Sequence, residues 1–193
     1  AVAKGVYKGN INEVLDACVQ TARSRRYDGL SEYMEKGYIS EDKSSSSVSK
    51  VLEYAYDDWC IMTLAKAVDR YDIMKEFSER SRNFSKVFDP QTGFMRPRLS
   101  DGSFKKDFDP LDTHGQGFIE GNALNYSLYV PHDVPALVML LGGKVKFEKY
   151  LDDLFDKHLP DKYFEKTEDI TREGIIGSYV HGNEPSHHVA YLY

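Results

Sequence analysis

"SVSKVLEYAYDDWCIMTLAKAV", residues 47–68, decides the fold. Val48, Val51, Leu52, Ala55, Tyr56, Trp59, Cys60 and Leu64 recur every three or four positions over about five turns, the period of an α-helix with one apolar face. Ile73, Met74, Phe77, Phe84, Val87 and Phe88 continue the pattern through "YDIMKEFSERSRNFSKVFD" (71–89), and the short link between the two segments makes them an α-hairpin. Upstream, "NINEVLDACVQTAR" (10–23) places Asn10 three residues before Glu13, a capping-box spacing, and sets Ile11, Val14, Leu15, Cys18, Val19 and Ala22 on one helical face. The serine run at 44–47 reads as a polar loop that ends in helix N-cap residues.

Downstream the period changes. In "FMRPRLSDGSF" (94–104) the Asp101-Gly102 step predicts a small β-hairpin, held to an edge or a loop by Pro97. A long loop, "FDPLDTHGQGF" (108–118), leads to "EGNALNYSLYV" (120–130), and Asp133 then caps a helix that Gly142 and Gly143 terminate. "KFEKYLDDLFDKHL" (146–159) is another amphipathic helix, residues 160–180 are a loop, and "SHHVAYLY" (186–193) begins a further helix. The expected architecture is all-α, built from helical hairpins with one small β-hairpin insertion, in a single domain. Ala1 sits in what reads as a helical continuation and Tyr193 closes an apolar pattern without a cap, so residues 1–193 are expected to be a piece of a larger protein.

The formal charge of −6 excludes a general phosphate-backbone binder, which depends on clustered Lys and Arg. No apolar run reaches the ~18 residues of a membrane span, and "AVAKGVYKGN" lacks the layout of a signal peptide. A neutral polar substrate fits better than nucleic acid or membrane. Cys18 and Cys60 fall in apolar helical patterns and read as buried thiols rather than a disulfide framework. Aromatic residues make up 13% of the chain, enough to serve both a core and the C–H faces of sugars, and Trp59 on the helix stripe reads as core.

Glycosidic-bond cleavage needs a protonated group at the leaving oxygen and a second carboxylate behind the sugar. Glu120 is the best candidate for the first, because Phe118 and Tyr126 flank it and would desolvate its carboxyl group. The plainer reading makes Glu120 a helix-start residue favoured by the dipole. Of the mid-helix pair Asp57 and Asp58, one is expected to face a salt bridge or polar cavity and to be structural. "HGNEPSHH" (181–188) is poorly spaced for zinc: adjacent His187 and His188 diverge, and no cysteine accompanies them. As a loop offering imidazole, amide and carboxylate, it supplies the mixed donors and acceptors that sugar hydroxyls require.

Five blocks in order, "LEYAYDDW" (52–59), "FDPQTGFMRPR" (88–98), "FIEGNALNY" (118–126), "VPHDVPALVMLLGG" (130–143) and "YVHGNEPSHHVAYLY" (179–193), resemble the signature blocks of glycoside hydrolase family 92. That family comprises exo-acting, calcium-dependent, inverting α-mannosidases, and the resemblance runs from about Tyr27 to Tyr193. It implies that residues 1–193 are the central portion of an (α/α)6 toroid, following a β-sandwich domain and lacking the toroid's C-terminal part. By motif it implies Glu120 as general acid and Glu184 as a contact on the leaving-group side that discriminates between linkages, with Asn122, His181 and Asn183 as further substrate contacts. It also implies calcium, for which no ligands are assigned here, and a mannose-containing oligosaccharide, with α-1,2-linked glycans and N-glycan degradation as the setting. A secreted or periplasmic location in a bacterium follows from the same resemblance. Two departures stand out: Leu124 and Asn125 replace a Trp and a Gln usual beside the acid. No residue matches the family's aspartate base, so the chain alone is expected to be inactive. The competing expectations are another toroid glycosidase or lyase, a degenerate carbohydrate-binding relative and, last, a zinc hydrolase.

Overall fold

The structure, a computed structural model, describes residues 1–164 and 173–193, so part of the expected loop at 160–180 lies outside the described residues. Helix α1 (Ile11–Ala22) begins where Asn10 Oδ1 accepts from Asn12 N at 3.0 Å, while Asn10 Nδ2 donates to Glu13 Oε1 at 3.1 Å. The cap thus reaches the second helical residue, and the capping-box pair closes side chain to side chain. Residues 2–5 form a turn where a helical continuation was expected. A short α2 (Leu30–Lys36), which the periodicity did not reveal, precedes the long α3 (Ser47–Ala67) and α4 (Tyr71–Arg80). The α-hairpin of α3 and α4 forms as expected, turning through Asp69 at φ 57°.

The second arm is shorter than its apolar pattern. Helix α4 stops at Arg80, a 3-10 segment runs Asn83–Val87, and Phe88–Asp89 is already strand β1. Pro90 explains the exit, since the residue before a proline is steered to extended backbone. Strand β1 pairs with β2 (Phe94–Met95) in the register Phe88↔Met95 and Asp89↔Phe94. The regular hairpin therefore turns at Asp89–Gly93, where Asp89 Oδ1 accepts from Gln91 N at 2.9 Å. The Asp101-Gly102 turn also forms, but it closes only an isolated bridge between Arg98 and Phe104.

Helix α5 (Ala123–Tyr126) is a single turn. Helix α6 (Val134–Leu140) starts with Asp133 accepting from Ala136 N and ends before Gly142 and Gly143 at φ 92° and 100°, as expected. Helix α7 (Lys144–Asp156) follows, then a hairpin of β3 (Ile175–Ile176) and β4 (Tyr179–Val180). The closing segment forms two 3-10 turns, Glu184–Ser186 and Val189–Tyr191, where a helix was expected. Helices dominate, and none of those described is long and apolar enough to cross a membrane.

Two cores meet along α3. Its first half buries Val48, Val51, Leu52 and Ala55 against Phe84, Val87, Met95, Phe118 and Tyr126. Its second half buries Ile61 and Ala65 against Leu15 and Val19 of α1 and Ile73 and Phe77 of α4. The buried stripe runs through Asp58 and Ile61 rather than Trp59, Cys60 and Leu64. Trp59 is therefore half-buried, stacked on Tyr56 at 5.9 Å, and the core position assigned to it belongs to Asp58. Cys18 and Cys60 are free and partly buried.

Asp58 can occupy a core position because it is paired. Arg80 donates to it from Nη2 at 2.9 Å and from Nε at 3.1 Å, and Tyr33 donates its hydroxyl at 2.8 Å. Even so, burial pushes the Asp58 carboxyl up to about 6 against the opposing pull of Arg80. The structural duty expected of the Asp57–Asp58 pair falls on Asp58, while Asp57 stays exposed.

Candidate active site

The loop bearing Glu120 is built against the start of α3. The serine run does not cap that helix: Ser46 sits in the left-handed region at φ 57° with no side-chain cap bond. The orphan N–H groups of the first turn look elsewhere, as they must when buried. Glu41 accepts from Ser47 N at 3.1 Å, and the carbonyl of Gly117 accepts from Val48 N at 2.9 Å and Ser49 N at 3.2 Å. Ser49 Oγ in turn accepts from Ile119 N at 3.1 Å. The residues just before Glu120 are thus the cap of α3. Gly117 is required there, since at φ +88° a Cβ would lie 2.5 Å from Pro97 Cγ and 2.9 Å from Val48 Cγ2.

Beyond this dock Phe118 is buried against Tyr126, ring centroids 5.7 Å apart, as expected for the aromatics flanking Glu120. Glu120 itself is half-buried and lies two residues ahead of the cap of α5, so it is not a residue of the helix start. Asn122 is that cap. It is fully buried, its Oδ1 accepting from Asn125 N at 3.1 Å and its Nδ2 donating to the Leu111 carbonyl at 3.2 Å. Both polar ends are engaged by backbone, so Asn122 shapes the loop from inside where a sugar contact was expected.

The second half of the site is the β4 loop. Ser178 anchors it, donating N–H to the Leu154 carbonyl at 2.8 Å and Oγ–H to the Lys157 carbonyl at 2.5 Å. At the preceding Gly177 a Cβ would fall 2.0 Å from the Phe155 carbonyl oxygen. Asn125 Nδ2 donates to the Ser178 carbonyl at 2.6 Å, joining α5 to this hairpin. Further on, His188 Nε2 meets the Leu128 carbonyl at 2.9 Å, and burial lowers the pKa of this imidazole.

These tethers bring the expected residues together. Asn183 Nδ2 donates to Glu120 Oε2 at 2.7 Å. Glu184 opens the 3-10 turn beside Asn183 and is exposed, as are His181 and His187. The two exposed rings lie 5.2 Å apart, and His181 Nδ1 is 2.6 Å from the Tyr179 hydroxyl. His187 and His188 diverge, one outward and one onto Leu128. Leu124 is buried and lines a cavity with Phe94, Tyr150 and Asp153. Sequence reasoning missed Ser49, Gly117 and Ser178 as the fixtures of the site. The "GQG" step at 115–117 was the one local signal of a close backbone approach.

What this arrangement resembles is decided by comparison with known proteins. The family model for the glycosyl hydrolase family 92 catalytic domain matches residues 1–193. The chain belongs to that family. A solved family 92 α-mannosidase from Bacteroides thetaiotaomicron is 42% identical with a TM-score of 0.89, over 98% of this chain and 25% of that one. An inverting mannosidase of the family from the same organism is 29% identical with a TM-score of 0.85, over all of this chain and 28% of that one. A curated protein of Arthroderma benhamiae described as an uncharacterized secreted glycosidase is 26% identical over 81% of this chain and 20% of its own length. The chain therefore spans 20–28% of the length of these relatives. Family membership sets aside the alternative of another toroid glycosidase or lyase family.

Proposed function

We propose that this segment carries the acid half of an inverting, exo-acting α-mannosidase, with Glu120 as the general acid. The observation that supports this best is the Asn183–Glu120 hydrogen bond. It joins the only glutamate of the family's acid block to the loop expected to meet the sugar, and it distinguishes the two carboxyl oxygens. Because Oε2 accepts from the amide, a proton on Glu120 resides on Oε1, the oxygen that makes no hydrogen bond among the described residues. An acid whose proton sits on one defined oxygen is oriented for delivery to a leaving group.

The remaining parts of the reading extend this one. Residues 1–193 form the central portion of an (α/α)6 toroid whose other parts, with a β-sandwich domain, lie elsewhere in the parent protein. The base lies there too, so the segment alone is inactive. The parent is secreted or periplasmic, in keeping with the secreted relative. Its substrate is a mannose-containing oligosaccharide, a reading supported by the solved family 92 α-mannosidase in complex with mannoimidazole, 41% identical to this chain. Calcium belongs to the reading of the intact enzyme, and no ligands for it are assigned to this segment. Among the described residues no three His, Cys, Asp or Glu side chains converge on a point, so no step here is routed through a metal. The test of the whole reading is stereochemical. Proton NMR of the intact enzyme on an aryl α-mannoside should show β-mannose as the first product; α-mannose first would mean retention and would exclude an inverting mechanism.

Glu184 supplies the specificity. We assign it, with Asn183 and His181, to the leaving-group side, where an ionised carboxylate accepts from a sugar hydroxyl but meets a phosphodiester as a like charge. Two unit charges 4 Å apart repel by about 4 kcal/mol at an effective dielectric near 20, before solvent screening of an exposed group reduces it. Glu184→Gln should lower kcat/KM for an α-1,2-linked mannobiose while raising it, relative to that substrate, for a phosphate-linked mannose, the ratio moving by about tenfold. An unchanged ratio would return the loop to a structural turn.

A further inference from the structure

The β4 loop folds two imidazoles onto each other. Tyr179, the first residue of β4, is buried, and after Val180 the chain turns back: Asn183 N donates to the Val180 carbonyl at 3.3 Å, and His187 N donates to the Glu184 carbonyl at 3.2 Å. Pro185 and Ser186 are buried inside the turn and pin it, which leaves the rings of His181 and His187 exposed. Their centroids lie 5.2 Å apart with 35° between the ring planes. We propose that His181 and His187 are the two protein ligands of a zinc site at the edge of the sugar-binding loop.

The separation is the one that shared coordination requires. With nitrogen–metal bonds of about 2.0–2.1 Å, two imidazoles on one tetrahedral cation place their centroids roughly 5.2 Å apart, whereas a right angle at a square-planar cation brings them to roughly 4.5 Å. Spacing in the sequence argues against zinc through the adjacent His187 and His188, which do diverge; the fold pairs His187 with His181 instead. His181 is also held from behind, its Nδ1 2.6 Å from the Tyr179 hydroxyl. With Nδ1–H donating to that oxygen, Nε2 is left as the free lone pair, the orientation that a hydrogen-bonded outer group gives a ligating imidazole. Among the described residues no third His, Cys, Asp or Glu converges on the pair, so water completes the coordination. Imidazole suits zinc, and calcium takes oxygen, so this site is separate from the calcium of the intact enzyme. Asn183, between the two histidines, holds Glu120 at 2.7 Å, and a cation seated here therefore stands on the leaving-group side.

Titration calorimetry on the calcium-loaded intact enzyme should show one Zn2+ bound at this loop, and excess Ca2+ should not displace it. Tyr179→Phe, which removes only the hydroxyl behind His181, should weaken zinc binding about tenfold, and His187→Gln should weaken it further. His187 is exposed, so His187→Gln should keep the wild-type melting temperature and the zinc-free kcat/KM on an α-1,2-linked mannobiose. Absence of zinc binding in the wild type, or binding that neither His187→Gln nor His181→Gln alters, would overturn the proposal. The effect on catalysis rests on placing this loop at the leaving group: Zn2+ should raise the apparent KM for the mannobiose several-fold at constant kcat, and His187→Gln should abolish that inhibition. Histidine-dependent binding without inhibition would uphold the zinc site and count against the leaving-group placement alone.

Discussion

In the intact enzyme, Glu120→Gln should lower kcat by about 10²–10⁴ on an α-linked disaccharide and by far less on a dinitrophenyl α-mannoside. A sugar alkoxide is a poor leaving group and must be protonated as the bond breaks, whereas a dinitrophenolate departs without help. The structure makes this a clean substitution. Glutamine retains an oxygen for Asn183 Nδ2, so the 2.7 Å contact that links the two halves of the site survives. The dock of Gly117 and Ile119 on α3 is backbone and Ser49 hydroxyl, and is untouched. What is lost is the proton on the second oxygen. An equal loss on both substrates would place Glu120 in binding, and a loss of stability would place it in the fold.

Which parts of this were legible in the sequence follows from the range of the interactions. Helices α1, α3, α6 and α7 announce themselves because apolar spacing is a local property, and Asn10 and Asp133 cap where a local rule puts them. Helix α3 is the exception at its start. The serine run looks like a cap, but the caps are Glu41 and the carbonyl of Gly117, and no window around residue 46 contains Gly117. The hairpin was expected at Asp101-Gly102 on turn chemistry that is real. Two-residue strands formed instead around Asp89–Gly93, where a partly buried Asp89–Arg96 ion pair at 2.9 Å reinforces the turn. The site shows the same division. Glu120 and Asn183 were each recognisable by type and neighbours, but their contact spans 63 positions. Within that span Asn125 reaches Ser178 across 53 positions, a bond that only the tertiary structure reveals. Asn122 was misplaced for a related reason: a side chain that caps a buried helix and one that faces a sugar are the same amide in a sequence.

The buried Asp58–Arg80 pair should be costly to break. Arg80→Met leaves Asp58, 1% exposed, without its cation, and breaking a buried pair from one side typically costs about 3–5 kcal/mol. The pH dependence identifies the cause. Asp58 in the folded chain titrates at about 6, above the unfolded value near 3.9, so the folded state binds the extra proton and ionisation opposes folding as pH rises between the two. Removing Arg80 removes the pull that holds the group down and moves its folded pKa higher still. The variant should therefore be penalised most at pH 8, where Asp58 must be charged, and least near pH 5, where it is protonated and needs no partner. Differential scanning calorimetry at the two pH values should show the gap from wild type narrow on acidification. The double variant Asp58→Leu/Arg80→Met should recover part of the loss, because neither charge is then left alone in the core. A gap that stayed constant with pH would assign the loss to packing instead, since the Arg80 guanidinium also lies 4.5 Å over the Phe77 ring, a contact that methionine replaces only in part.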